Sequence, residues 1–131
     1  MDITCAAPRL NAYDFMRCLF ALLVKERNVI VDRGKIFERI FSFKTNIEKE
    51  NHDLLFLFDD IEIRDSLSNV VSNDISDGIS NLQTLGVIGK LNPTYEKIII
   101  YLSENEADAI IGSYDPVISD AIKKLAASFN R

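Results

Sequence analysis

Residues 73 to 103 read NDISDGISNLQTLGVIGKLNPTYEKIIIYLS, and this stretch decides the predicted fold. Asn73 or Asp74 is the expected N-cap of a helix, because short polar side chains accept hydrogen bonds from first-turn amides. Gly86 stands where a left-handed C-terminal cap is expected. The apolar residues between them recur at spacings of four, three and three, as on one buried face of a helix: Ile75, Ile79, Leu82 and Leu85.

The second half of this stretch predicts a β-hairpin. Residues 87–91 and 95–102 are rich in β-branched and aromatic side chains, which favour strands. They are joined by Asn92-Pro93-Thr94, in which the fixed φ of proline and the asparagine side chain favour a turn. Apolar residues occupy consecutive positions in the second strand, so both of its faces are expected to be at least partly covered.

Two amphipathic helices are predicted near the start of the chain. Asn11 is the expected N-cap of a helix that reaches about residue 27, and Asp32 is the expected cap of a helix over residues 33–43. Each has an apolar stripe at three- and four-residue spacing, which is typical of a helix that packs on a core. These stripes therefore predict core packing, and not a ligand pocket.

The segment between residues 46 and 72 has weaker signals. A third helix is predicted over residues 46–58, although the continuous apolar run 54–58 is equally typical of a buried strand. Residues 59–65 are predicted to be a loop or a short strand, because apolar and charged residues alternate there. A further helix is expected from about Ser66, with these inward residues: Leu67, Val70 and Val71.

Two helices are predicted at the end of the chain. Ser103 and Glu106 have the three-residue spacing of a capping box, which begins a helix that reaches about residue 114. Asp115 is the expected cap of the last helix, with Pro116 at its first position. The residues expected to be buried in that last helix are Val117 or Ile118, Ala121, Ile122, Leu125 and Phe129.

Length and composition predict one domain over residues 10–131, preceded by a flexible start at residues 1–9. The chain has 131 residues, an ordinary apolar content of 47% and no linker rich in proline, glycine or serine. Its two cysteines do not form a disulfide framework, and its apolar runs are shorter than the roughly 18 residues of a membrane span. We therefore expect a cytoplasmic domain without a membrane partner, mainly α with one β-hairpin.

The phrase Asn81-Leu82-Gln83-Thr84-Leu85-Gly86-Val87-Ile88, followed by a hairpin, resembles the winged-helix superfamily. The resemblance covers residues 66–103 and implies a winged-helix-like α+β domain, in which the helix that ends in leucine and glycine is the recognition helix and the hairpin is the wing. Such domains serve as DNA readers or as protein-docking modules. The layout is also similar to small accessory subunits of bacterial multi-protein systems, in which a winged-helix module docks onto an ATPase or effector.

The expected recognition helix is anionic on its exposed face. It presents two carboxylates and two amides but no Lys or Arg, whereas a DNA reader needs cations to meet the phosphate backbone. The predicted wing offers only Lys90 and Lys97, against Glu96. DNA binding through this face is therefore disfavoured. The two carboxylates and two amides on the exposed face of the expected recognition helix are Asp74, Asp77, Asn81 and Gln83.

A second acidic cluster, Asp59, Asp60, Glu62 and Asp65, precedes this helix. Closely spaced carboxylates can hold Mg²⁺ or Ca²⁺, but the spacing matches no calcium loop and lacks its glycine. A solvated loop or a docking patch for a basic partner is the better interpretation. His52 is the only histidine, and the sequence has no Gly-rich phosphate loop or nucleophile elbow. These features predict no catalysis, cofactor or metal.

The leading hypothesis is a non-enzymatic protein-interaction subunit of a bacterial or phage-related complex. It would dock a protein partner with a basic surface through the acidic middle or the wing. A homo-oligomer is also compatible with the sequence. The N-terminal third suggests an alternative, because residues 1–44 hold eight Lys or Arg against five Asp or Glu while the whole chain has a net charge of -5. A third hypothesis is an acidic inhibitor or immunity protein. The alternative suggested by the basic N-terminal third is a transcriptional regulator that binds DNA through Arg33, Lys35, Arg39 and Lys44.

Overall fold

The protein is mainly helical, as predicted. The computed structural model describes residues 10–50, 52–66, 69–91 and 96–130, so the expected flexible start at residues 1–9 lies outside the described part. Along the chain the elements are α1 (Ala12–Lys25), β1 (Ile30–Asp32), α2 (Arg33–Glu50), a 3-10 helix (His52–Phe58), β2 (Arg64–Ser66), β3 (Asn69–Val71), α3 (Asn73–Thr84), β4 (Ile88–Leu91), β5 (Lys97–Ile100), α4 (Glu104–Gly112) and α5 (Pro116–Ser128).

The first helix, α1, is the centre of the molecule. It begins at the predicted cap, where the Asn11 side chain accepts a hydrogen bond from the Asp14 amide at 2.7 Å. Every residue from Cys18 to Val24 is buried, so the helix is covered on more than one face. Helices α3, α4 and α5 all pack against it. An element that is apolar on several sides must be surrounded in this way.

Helix α2 begins at Arg33 as predicted but continues through residues 44–50. Ile47 is buried and extends the stripe of Ile36 and Ile40, so the same face stays inward for about three turns. The separate helix predicted from residue 46 is therefore wrong. The apolar run that follows is neither that helix nor a buried strand, because residues 52–58 form a 3-10 helix.

The helix predicted from Ser66 is also wrong, because this region is a β-hairpin. Strands β2 and β3 pair antiparallel, with Arg64 opposite Val71, and Leu67 lies outside the described residues. Ser72 then takes an extended conformation (φ -155°, ψ 118°), and its side chain accepts a hydrogen bond from the Ile75 amide. Ser72 is thus the N-cap of α3, where Asn73 or Asp74 was predicted, and this cap prevents one continuous helix.

Strands β4 and β5 of the predicted hairpin pair antiparallel, and β1 joins them, whereas the predicted turn Asn92-Pro93-Thr94 lies outside the described residues. The three strands form an antiparallel sheet in the order β1-β5-β4, with Ile30 opposite Ile99. Strand β1 was not predicted, since three residues are too few to show an alternating pattern. The Tyr101 ring lies across Gly89, where a Cβ atom would stand 2.7 Å from the Tyr101 hydroxyl. A larger residue at this position would require the exposed Tyr101 ring to shift.

Helix α3 packs mainly on α1. Three of its four predicted core residues, Ile75, Ile79 and Leu82, are buried. Leu85 is the exception, with 64% of its surface exposed. The helix ends at Thr84 and the chain turns at Gly86 (φ 78°), so the helical spacing no longer directs Leu85 toward the core.

The caps of the last two helices are those predicted. Ser103 and Glu106 make both hydrogen bonds of a capping box, and the Asp115 carboxylate accepts from the Val117 amide at 2.9 Å. Ile118, and not Val117, points inward: Val117 is 56% exposed. The remaining predicted core residues of this segment are all buried: Ala121, Ile122, Leu125 and Phe129.

A partly buried polar cluster connects α1 to the turn between α4 and α5. The Tyr114 hydroxyl donates to the Asp14 carboxylate at 2.8 Å and accepts from the Arg17 guanidinium at 3.4 Å. Burial raises the pKa of Tyr114 above its ordinary value, so the phenol is neutral and can donate.

Replacing Tyr114 with phenylalanine tests what this cluster contributes. We expect the free energy of unfolding to fall by about 1 kcal/mol, because the ring still packs while Asp14 loses a partly buried donor. Urea denaturation of the two proteins would measure the difference. Equal midpoints would show that solvent replaces the phenol fully.

Candidate functional site

The outer face of α3 is polar, anionic and ends in an apolar residue. Asp77 and Asn81 stand four residues apart on α3, and Leu85, the C-cap residue, follows them with its amide donating to the Asn81 carbonyl at 3.1 Å. All three residues are exposed. Gln83 is exposed as well. The helix contains no Lys or Arg. We call Asp77, Asn81 and Leu85 together the α3 ridge.

Asp74 also lies in the first turn of α3, but it has a structural contact. Its carboxylate accepts a hydrogen bond from the Glu62 amide at 2.7 Å, and the Ser72 hydroxyl donates to the Glu62 carbonyl at 2.5 Å. A carboxylate here is also favoured by the partial positive charge of the helix start. The structure therefore brings together Glu62 and Asp74, which lie in separate predicted segments, around a small cleft of about 230 Å³.

The rest of the predicted acidic cluster is more dispersed. Asp59 and Asp60 are exposed in the turn after the 3-10 helix, and Asp65 lies in β2 opposite Val70. Arg64 approaches the Glu62 carboxylate at 3.8 Å. Within the described ranges, no three His, Cys, Asp or Glu side chains come close enough together to hold a metal ion.

An open groove of about 1080 Å³ lies between the first half of α2 and the β4–β5 hairpin. We call it the α2 groove. Three of the four cations predicted for the DNA-binding alternative line it, whereas Lys44 does not. Lys90 of β4 is a further cation that sequence reasoning did not connect with them, because only the tertiary fold places β4 beside α2. The charged residues of the lining are Arg33, Lys35, Arg39, Lys90, Asp32, Glu38 and Glu96.

Several of these side chains are held by contacts with neighbouring elements. The Lys35 ammonium donates to the Phe129 carbonyl at 3.0 Å, which fixes it against the end of α5. The Arg33 guanidinium donates to the Ser76 hydroxyl at 3.2 Å and lies 4.9 Å from the centre of the Phe37 ring. The Asp32 carboxylate, predicted as a helix cap, instead pairs with Lys97 of β5 at 3.0 Å.

A second groove of about 350 Å³ continues from the first along α2. The two share Arg39 and Ser42, and the second is bounded by Lys124 and Leu125 of α5. The concave surface therefore extends along most of one side of α2, with cations from three different elements.

The described part of the chain contains one cysteine, Cys18, and one histidine, His52. Cys18 is buried in α1, and burial raises the pKa of its thiol to about 12, so the nucleophilic thiolate is not populated at neutral pH. His52 is exposed, and its ring contacts the Glu48 carbonyl of α2. In the described part of the chain, no helix has the combined length and apolar character required to cross a bilayer.

Comparison with known proteins gives no match: no family model, no curated protein and no solved structure is similar to this chain. Function is therefore inferred from the α3 ridge and the α2 groove.

Proposed function

We propose that the protein is a non-enzymatic accessory subunit that docks a protein partner through the α3 ridge, within a bacterial or phage-related complex. The observation that carries this proposal is the exposure of Leu85, 64%, at the end of the ridge that begins with Asp77. Protein interfaces combine an apolar contact that excludes water with a polar rim, and the ridge offers both.

The chemistry of the ridge favours a basic partner. Asp77 is exposed on it, and Glu62, Asp59 and Asp60 add exposed carboxylates on the preceding segment. Complementary charge steers the encounter and selects the partner, while burial of Leu85 supplies apolar contact. Asp74 supports the site indirectly, because its bond to the Glu62 amide holds that segment beside α3.

The arrangement of α3 and the hairpin supports a winged-helix-like module. Helix α3 ends at Thr84, the chain turns at Gly86 with a positive φ, and the antiparallel pair β4–β5 follows. In this proposal α3 occupies the place of the recognition helix and β4–β5 that of the wing. A recognition helix without Lys or Arg is poorly suited to a phosphate backbone, which favours protein docking over DNA reading.

Affinity purification with matched variants tests the docking surface. The Asp77→Lys, Leu85→Ser double variant should lose a partner that co-purifies with the unmodified protein from its host. Asp120→Lys, which makes the same charge change at an exposed position of α5, should retain it. Thermal melting would check that both variants fold. Retention of the same partners by all three proteins would place docking elsewhere.

The DNA-binding alternative has one favourable feature, since Arg33, Lys35 and Arg39 line one groove. It predicts affinity for a random duplex that falls steeply with salt, because neutralised phosphates release counterions. We expect no such affinity. Salt-sensitive duplex binding that is lost when these three residues are neutralised would favour the regulator. An inhibitor or immunity protein would differ from both by abolishing the activity of the purified partner.

A further inference from the structure

We propose that the α2 groove binds a small molecule that carries phosphate groups together with hydroxyl or amino donors. This site is separate from the α3 ridge, and the proposal does not depend on the docking function. Its basis is the arrangement of charge within one concave surface that joins α2 to the β4–β5 hairpin.

The cations and the acids of the groove differ in exposure. All four cations of the lining are half-buried, whereas all three acids are exposed. The Asp32 carboxylate is moreover paired with Lys97, so it offsets little of the positive charge inside. We call the half-buried cations the interior of the groove and the exposed acids its rim. The cations are Arg33, Lys35, Arg39 and Lys90, and the acids are Asp32, Glu38 and Glu96.

Two of the cations are held in place with donors to spare. The Lys35 ammonium has three N–H donors and directs one to the Phe129 carbonyl, while the Arg33 guanidinium has five and directs one to Ser76. Charge-assisted hydrogen bonds to phosphate are among the stronger polar contacts in proteins. Side chains held beforehand lose less conformational entropy when they bind a ligand.

The size and rim of the groove favour a compact ligand over a nucleic acid. Its volume of about 1080 Å³ is similar to that of small-molecule sites, and the surface is concave. A duplex, in contrast, is commonly read by a protein element that enters its major groove, about 12 Å wide, and a concave surface does not provide such an element. A continuous polyanion would also pass over the exposed carboxylates of the rim, whereas a short ligand can place phosphates inside and donate hydrogen bonds to Glu38 or Glu96. Side chains, and not a Gly-rich loop, would hold its phosphates.

Calorimetric titration of the full chain tests this site with three probes. They are ATP, inorganic triphosphate and a single-stranded oligonucleotide of mixed sequence. The groove variants are Arg39→Gln on α2 and Lys90→Gln on β4, which belong to different elements of the lining. Lys123→Gln on α5 is the matched control, because it removes one positive charge at an exposed position outside the groove.

We expect ATP to bind the unmodified protein more tightly than inorganic triphosphate, since only ATP carries donors for the rim. Each groove variant should weaken ATP binding by about tenfold or more, and Lys123→Gln by less than about twofold. Three results would overturn the proposal: no heat with ATP, an equal loss in all three variants, or tighter binding of the oligonucleotide. Equal affinities for ATP and triphosphate would remove the assigned role of the acidic rim. Variants of the α3 ridge should bind ATP normally, so this test is independent of partner docking.

Discussion

Replacing Leu82 with alanine is expected to lower the free energy of unfolding by about 2–5 kcal/mol. The Leu82 side chain is 0% exposed, and α3 packs on α1 through the face that carries it. Truncation removes buried methyl groups and leaves a cavity that rigid helix packing fills only in part. Urea denaturation followed by circular dichroism would measure the loss.

Leu85→Ala is the matched control, because the same residue type stands three positions later on the same predicted face. Leu85 is 64% exposed, so its truncation should change the free energy of unfolding by less than about 0.5 kcal/mol. A comparable loss in both variants would mean that Leu85 is buried in solution. The α3 ridge would then lack its apolar contact, and the docking proposal would fail with it.

Replacing Phe15 with alanine is expected to destabilise the protein by about 3–5 kcal/mol. Phe15 is 0% exposed in α1, and its ring centre lies 5.4 Å from that of Phe58 in the 3-10 helix. Phe58 in turn lies 6.1 Å from Phe43 of α2, so these rings join three elements. Denaturant titration would show a large shift in midpoint if the variant folds.

A double-mutant cycle tests whether these rings act together. Phe58→Leu keeps an apolar side chain but removes the ring, and its effect should be smaller in the Phe15→Ala background. We expect a coupling of about 0.5–1.5 kcal/mol, the range measured for aromatic pairs. Additive effects would show that the 3-10 helix contributes no specific contact to α1, despite the distance between the ring centres.

Local hydrogen-bonding chemistry made the ends of several helices predictable. Asn11, the Ser103–Glu106 capping box and the Asp115–Pro116 pair begin α1, α4 and α5 where the sequence indicates. Each signal is contained within a few residues, so no distant contact is needed to interpret it. The hairpin β4–β5 was predictable for the same reason, because its two β-prone runs flank a turn sequence.

Short or ambiguous segments could not be assigned without the elements that they pair with or lead into. Strand β1 has three residues and is a strand only because β5 pairs with it, and β2 becomes a strand by pairing with β3. Helical spacing placed Leu85 with Leu82, but the spacing applies only while the helix continues, and the turn at Gly86 ends it. Periodicity describes a face, whereas pairing and termination depend on the rest of the chain.

The α3 ridge and the α2 groove also differ in how far the sequence determines them. By itself the sequence determined that α3 carries Asp77 and Asn81 without a cation, because residues of one helix have known relative positions. Only the tertiary structure brought Lys90 and Arg39 into the lining of the α2 groove, since these residues are 51 positions apart in the sequence. It also joined the Glu62 amide to the Asp74 carboxylate at 2.7 Å. Side chains from separate elements converge only after the hydrophobic core has fixed how those elements pack.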